Sequence, residues 1–264
     1  MTGPDLEAFR ALARSSPWRW RSLQLIDDDV GERLEHPRPV RARVARPSGL
    51  RVEEMDGTLI SASWADQPWG SAWDDDGSGP IEREIYGPQD ARAAAPLLRP
   101  DGLVAERPAS TGHLRYDDLL FQSYRWVAML DPVELADGDA IVASGRRSAA
   151  LSPISREGAV RVVQHGGRTA WEAVVQTTGH YLPRCTCCPA LNGVHSHQRD
   201  NAEQGLPPQQ GVATRARASA HRVRLDLETG VLVLSEEQGG DAHGRAWHAI
   251  IESVDQDLPR ALFS

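Results

Sequence analysis

The strongest constraint on the fold is a set of short alternating runs joined by tight turns. "RVEEMDGTLISASW" (51–64), "AVRVVQHGGRTAWEAVVQT" (159–177) and "HRVRLDLETGVLVLSEE" (221–237) share one grammar. Apolar residues recur at every second position, the period that puts them on one face of a strand. Each run is broken by Asp56-Gly57, Gly166-Gly167 or Glu228-Thr229-Gly230. Such turns supply the positive φ angles that two-residue and three-residue hairpin loops need. In "PVRARVARPSGL" (39–50), Val40, Ala42 and Val44 alternate with Arg41 and Arg43, and Pro47-Ser48-Gly49 makes a further turn. "RAWHAIIESVDQDL" (245–258) reads as a last strand. Eight to ten strands joined almost wholly by hairpins imply one antiparallel sheet or barrel.

Helices are fewer. "PDLEAFRALARSS" (4–16) has Asp5 as its N-cap and Leu6, Phe9, Leu12 and Ala13 at helical spacing, with Pro17 ending it. A strand follows over about Trp20 to Ile26. Residues 65–112 are rich in Pro, Gly, Asp and Ser and read as long loops around a short helix, "PQDARAAAPLL". "HLRYDDLLFQSYRWVAML" (113–130) is a second helix with little polar face, which predicts burial on several sides. Pro132 closes it, and "PVELADG" adds a short turn. The expectation is a single α+β domain over 1–264, with a loop-rich insertion at about 65–112 and a Cys/His loop at about 180–220.

Composition excludes some partners. The net charge is −8, and all 29 basic residues are arginine. An acidic chain of this kind does not bind nucleic acid, where affinity comes from neutralising phosphates. The N-terminus is interrupted by Asp5, Glu7, Arg10 and Arg14, so it lacks the roughly 7–15-residue apolar stretch of a signal peptide. No segment approaches the roughly 20 apolar residues of a membrane span. As written, the chain is expected to be cytoplasmic, and an envelope protein only if a leader was removed.

Two motifs carry a likeness. "GGRTAWEAVV" presents Gly167, Arg168, Ala170 and Trp171, and "RVRLDLETGVLVLSEE" presents Leu225, Asp226, Thr229 and Gly230. Together with the order helix, strands, loop-rich middle, helix, hairpins, this resembles the LolA/RseB-like families over about two thirds of the chain. The resemblance implies a strongly curved antiparallel sheet, a half-barrel with helices plugging its concave face. It also implies a non-enzymatic binding protein for an apolar small molecule (a lipid or acyl chain) or a partner protein segment. Tyr124, Trp126, Val127 and Leu130 of the second helix, with Trp171 and Trp247 of the sheet, would line such a cavity. The competing reading has these large rings fill the core themselves.

All three cysteines lie within "RCTCCP", and histidines follow in "NGVHSH". Cys185, Cys188, His195 and His197 supply the four ligands of a structural zinc site. The C-x-x-C spacing suits it, whereas H-x-H is tighter than the usual second pair. In the alternatives, Cys185 and Cys188 form a disulfide, or the thiols are simply small, half-buried loop residues. On the zinc reading the chain is a metal-stabilised structural or protein-interaction module. No catalytic residues are expected: Ser144 and Ser148 lie outside any G-x-S-x-G, and "HGG" at 165–167 falls in a hairpin turn.

Overall fold

The computed structural model describes residues 4–28, 39–65, 70–75, 80–85, 95–108, 120–137, 152–207 and 217–264. A nine-stranded, wholly antiparallel sheet dominates them. Strands β1 (Ser22–Asp28), β2 (Val40–Ala45), β3 (Gly49–Glu54) and β4 (Leu59–Trp64) form one meander. β5 (Gly70–Asp75) pairs with β6 (Pro80–Ile85), and β7 (Leu97–Leu98) with β8 (Val104–Glu106), as two small ribbons. β9 (Ile154–His165), β10 (Arg168–Thr177), β11 (Ala220–Asp226), β12 (Leu232–Gln238) and β13 (Ala246–Val254) form a second meander. The sheet order is β4-β3-β2-β1-β13-β12-β11-β10-β9, so the two meanders join through β1 and β13 and the sheet stays open at β4 and β9.

Register makes the sheet two-faced. Ala42, Leu25 and Ile251 lie opposite one another across β2, β1 and β13, and all are buried. Ala173, Val223, Ser235 and Trp247 do the same across β10 to β13. These side chains form one core with Phe9 and Leu12 of α1 (Leu6–Arg19) and Trp126, Met129 and Leu130 of α2 (Arg125–Leu130). The opposite face is held by ion pairs: Arg43 and Arg51 face each other in register, and Glu53 bonds both. Arg41 pairs with Glu252 at 2.9 Å, and Glu172 takes both Arg161 and Arg224. These pairs, with Glu53 and Glu172 buried and their arginines reaching toward solvent, pin the register.

The motif residues Arg168, Asp226, Thr229 and Gly230 form one turn cluster. Arg168 pairs with Asp226 at 2.8 Å, and Asp226 Oδ1 accepts from the Thr229 amide and hydroxyl. Gly230 (φ +73°) lies against the α1 backbone, where an added Cβ would stand 2.6 Å from Leu12 O.

Several sequence expectations are corrected. Asp5 does cap α1, accepting from Ala8 N at 2.7 Å, but Pro17 lies within that helix, which runs on to Arg19. Proline removes only one helix bond in a last turn already anchored by Ser16 Oγ on Leu130 O and Arg46 on Ser16 O. The first strand starts at Ser22, two residues late. The described parts of 65–112 contain four strands rather than bare loop, and Leu97–Leu98 of the expected short helix is a strand; its residues 88–94 lie outside the described residues. The second helix is described only over Arg125–Leu130, because 120–124 is irregular and 113–119 lies outside the described residues. Pro132 and a 3-10 turn at Val133–Leu135 follow it as expected. Residues 180–220 are not one loop: α3 (Val194–Glu203) interrupts them.

Candidate functional site

The thiols sit on a short excursion between β10 and α3. Its flanks are buried and its tip is open: Tyr181, Pro183, Pro189, Ala190 and Leu191 are buried, while Cys187 is exposed. Ala190 lies over the apolar face of the sheet, its carbonyl accepting from Ser235 Oγ at 2.8 Å.

One carboxylate holds both ends of the excursion. Glu134, on the 3-10 turn after α2, is 2% exposed. Its Oε2 accepts from Arg184 N at 3.1 Å and its Oε1 from Ala190 N at 3.0 Å. The Tyr181 hydroxyl also bonds this carboxylate, and it accepts from Leu191 N at 3.0 Å. Burial pushes the Glu134 carboxyl up to about 7, against the pull of these donors and of the Arg184 charge. Next to it, Asp131 is fully buried between the guanidinium groups of Arg107 and Arg184, with Arg107 Nη1 at 2.9 Å. Burial would raise this carboxyl, but the flanking arginines outweigh it and hold it below the usual range. Removing one partner of such a buried pair strands a charge and costs about 3–5 kcal/mol. The residue before Cys185 is therefore fixed by both its amide and its side chain.

The tip brings three sulfurs together. The Sγ atoms of Cys185, Cys187 and Cys188 all lie within 4.8 Å of one another. Cys185 and Cys187 are 2.9 Å apart, and Cys187 and Cys188 are 3.9 Å apart. Three sulfurs about 2.3 Å from one tetrahedral ion stand about 3.8 Å apart, so small shifts convert this cluster into a ligand set. Thr186 Oγ1 ties the tip to α3 through Glu203 at 2.8 Å and Asp200 at 3.3 Å. Burial raises the Cys185 thiol, but hydrogen bonds from Cys187 and Cys188 outweigh it and lower it overall. Burial and then Cys185 push Cys188 up.

This grouping differs from the zinc set expected from spacing. Cys185 and Cys188 belong to it and Cys187 joins them, but His195 and His197 do not enter the cluster. Both histidines lie on α3, where positions i and i+2 point about 200° apart and cannot face one ion. His195 Nδ1 meets Thr177 Oγ1 at 2.9 Å, and His197 Nδ1 meets Arg217 at 3.2 Å. Among the described residues no other group of three His, Cys, Asp or Glu ligand atoms comes together.

The residues expected to line an apolar cavity are placed as follows. Trp126, Leu130 and Trp247 belong to the packed core, and Trp171 packs against it. Val127 is fully buried and Tyr124 half-buried at the head of α2. Trp171 and Trp247 share the apolar face of the sheet but stand on β10 and β13, with two strands between them.

Sequence reasoning missed Glu134, Asp131 and Tyr181. Two acids within the apolar run 126–136 were the available signal, since a charge there must find a partner or shift its pKa. No described helix is long and apolar enough to cross a membrane. No protein-family model matches this chain, and no curated protein matches it.

Proposed function

We propose that this protein binds a thiophilic metal ion through Cys185, Cys187 and Cys188, with zinc the first ion to assay, and that the bound ion orders the loop as a metal-stabilised interaction module. The observation that carries this reading is the convergence of three Sγ atoms within 4.8 Å on a tip whose two ends are fixed. Three thiolates on one side leave a fourth position toward solvent beside the exposed Cys187, which water or a partner's side chain can fill. The role implied by the likeness, an apolar ligand against the tryptophans, is the weaker proposal. Trp126, Leu130 and Trp247 are already committed to core packing.

The test is zinc titration of the reduced full-length chain against a chromophoric chelator. Each of C185S, C187S and C188S should weaken binding by more than about 100-fold, the upper end for outer-sphere changes. H195A and H197A should leave it unchanged. Binding lost with the histidines but kept in C187S would restore the mixed Cys/His set. No stoichiometric binding by the native chain would remove the proposal.

A further inference from the structure

The same cluster carries a second kind of chemistry, one that rests on the metal reading only for its consequence. We infer that Cys185 and Cys187 form a thiol–disulfide pair oxidised by peroxides, with Cys188 left as a free thiol. Three observations point to this pair. Cys185 and Cys187 approach to 2.9 Å, while Cys187 and Cys188 are 3.9 Å apart. Cys187 is the exposed member, so a small oxidant reaches it without any opening of the fold. The backbone on both sides is held by Glu134 and by the Arg184–Asp131 pair, so the sulfurs approach by side-chain rotation rather than by backbone movement.

Adjacent residues are poorly placed to bridge, because a disulfide needs its Cα atoms about 4.4–6.8 Å apart and a dihedral near 90°. Neighbouring Cα atoms are held at about 3.8 Å. Covalent geometry therefore disfavours Cys187 and Cys188 as a pair. The choice lies between 185–187 and the C-x-x-C pairing 185–188, and the 2.9 Å approach of Cys185 to the exposed Cys187 favours the former.

The steps balance. One sulfur of the pair attacks the O–O bond of hydrogen peroxide and becomes a sulfenic acid. The departing hydroxide takes the proton of the original thiol and leaves as water. The other sulfur then attacks the sulfenic sulfur and expels the second hydroxyl, which leaves as water with that thiol's proton. Two thiols lose two hydrogens and two electrons, and one peroxide becomes two waters. Where a metal is bound, the reaction removes two of its three ligands, so the ion is released as the disulfide forms.

Arg184 and Arg199 bracket the cluster, so a tryptic digest delivers all three cysteines in one peptide, 185–199. The experiment treats reduced, metal-free, full-length protein with stoichiometric hydrogen peroxide, alkylates the remaining thiols, digests it and fragments that peptide. The expected product has lost two hydrogens and carries its only alkyl group on Cys188. C188S should still form the 185–187 disulfide. C187S should lose the 185–187 product. Three alkylated cysteines after peroxide, a 185–188 bridge, or separate sulfinic acids would each overturn the inference. Because the metal-free protein is used, a failure of zinc binding and a failure of the disulfide are read separately. In a second arm, zinc-loaded protein should release its ion in step with disulfide formation.

Discussion

At the scale of single residues, two buried groups set opposing pH dependences. Glu134 is raised to about 7 by burial, so between its ordinary value near 4.5 and 7 the native state holds a proton that the unfolded chain has released. Its contribution to stability therefore falls as pH rises through that window. His221 is 2% exposed on β11, and neither ring nitrogen has a well-formed hydrogen bond. Burial lowers it to about 4 against the opposing influence of the Asn192 carbonyl. Between about 4 and its ordinary 6.5 the unfolded chain binds the extra proton, so this contribution rises with pH. The lowered His165 and His195 add to the same sign. The two slopes overlap between about pH 4.5 and 6.5 and offset each other there. In urea melts, E134Q should make stability rise more steeply with pH across this range, and H221F should make it rise less steeply. Parallel profiles for both variants and the native chain would contradict this assignment. The two acids of the apolar run 126–136 hinted at Glu134, but "AHRV" gave no signal for His221, because a lone histidine on a strand reads as an ordinary surface residue. Burial comes from the elements that cover them, which local sequence does not encode.

At the scale of elements, alternation and turn chemistry located the hairpins well. Gly166 (φ +55°) and Gly167 (φ +81°) close β9–β10 as the Gly-Gly pair predicted, and Gly57 (φ +92°) closes β3–β4. Helix α3 went unread for a physical reason: "VHSHQRDNAE" is polar on almost every side, so it lacks the apolar period that marks a helix. That omission is why His195 and His197 were grouped with the cysteines, since an H-x-H pair drawn on a loop converges and on a helix does not. The turn glycines make a graded test. G230A meets both a left-handed backbone angle and the Leu12 carbonyl 2.6 Å away, a backbone atom that cannot move aside cheaply. G167A meets the angle alone, with nothing within 4 Å. Thermal denaturation should show a loss of about 1–2 kcal/mol for G167A and more than about 3 kcal/mol for G230A. Equal losses would mean that the β11–β12 turn does not rest on α1 as described.

At the scale of the whole molecule, the antiparallel α+β class was legible, but the seam between β1 and β13 was not. Pairing over more than two hundred positions leaves no local signature, whereas hairpin neighbours announce themselves through their turns. The C-terminal tail was equally silent. Its 3-10 turn at Arg260–Phe263 buries Phe263 against Trp64, with ring centroids 5.4 Å apart, and the Leu262 carbonyl accepts from Arg51. Deleting residues 259–264 should uncover Trp64 and red-shift its fluorescence, together with a lower melting temperature; an unchanged spectrum would place the tail elsewhere. The seam also has a mechanical meaning. Chain enters β1 and leaves β13 at the same end: Leu23 pairs with Val254, and the Asp255 carboxylate accepts from the Arg21 and Ser22 amides. Tension applied at residues 21 and 256 would open the β1–β13 ladder one rung at a time, like a zip. Tension applied at residues 28 and 256 would load every rung at once. Force spectroscopy should therefore find a weak direction and a strong one in the same nine-stranded sheet, and a protein tugged by its two tails would give way along the seam where its two meanders meet.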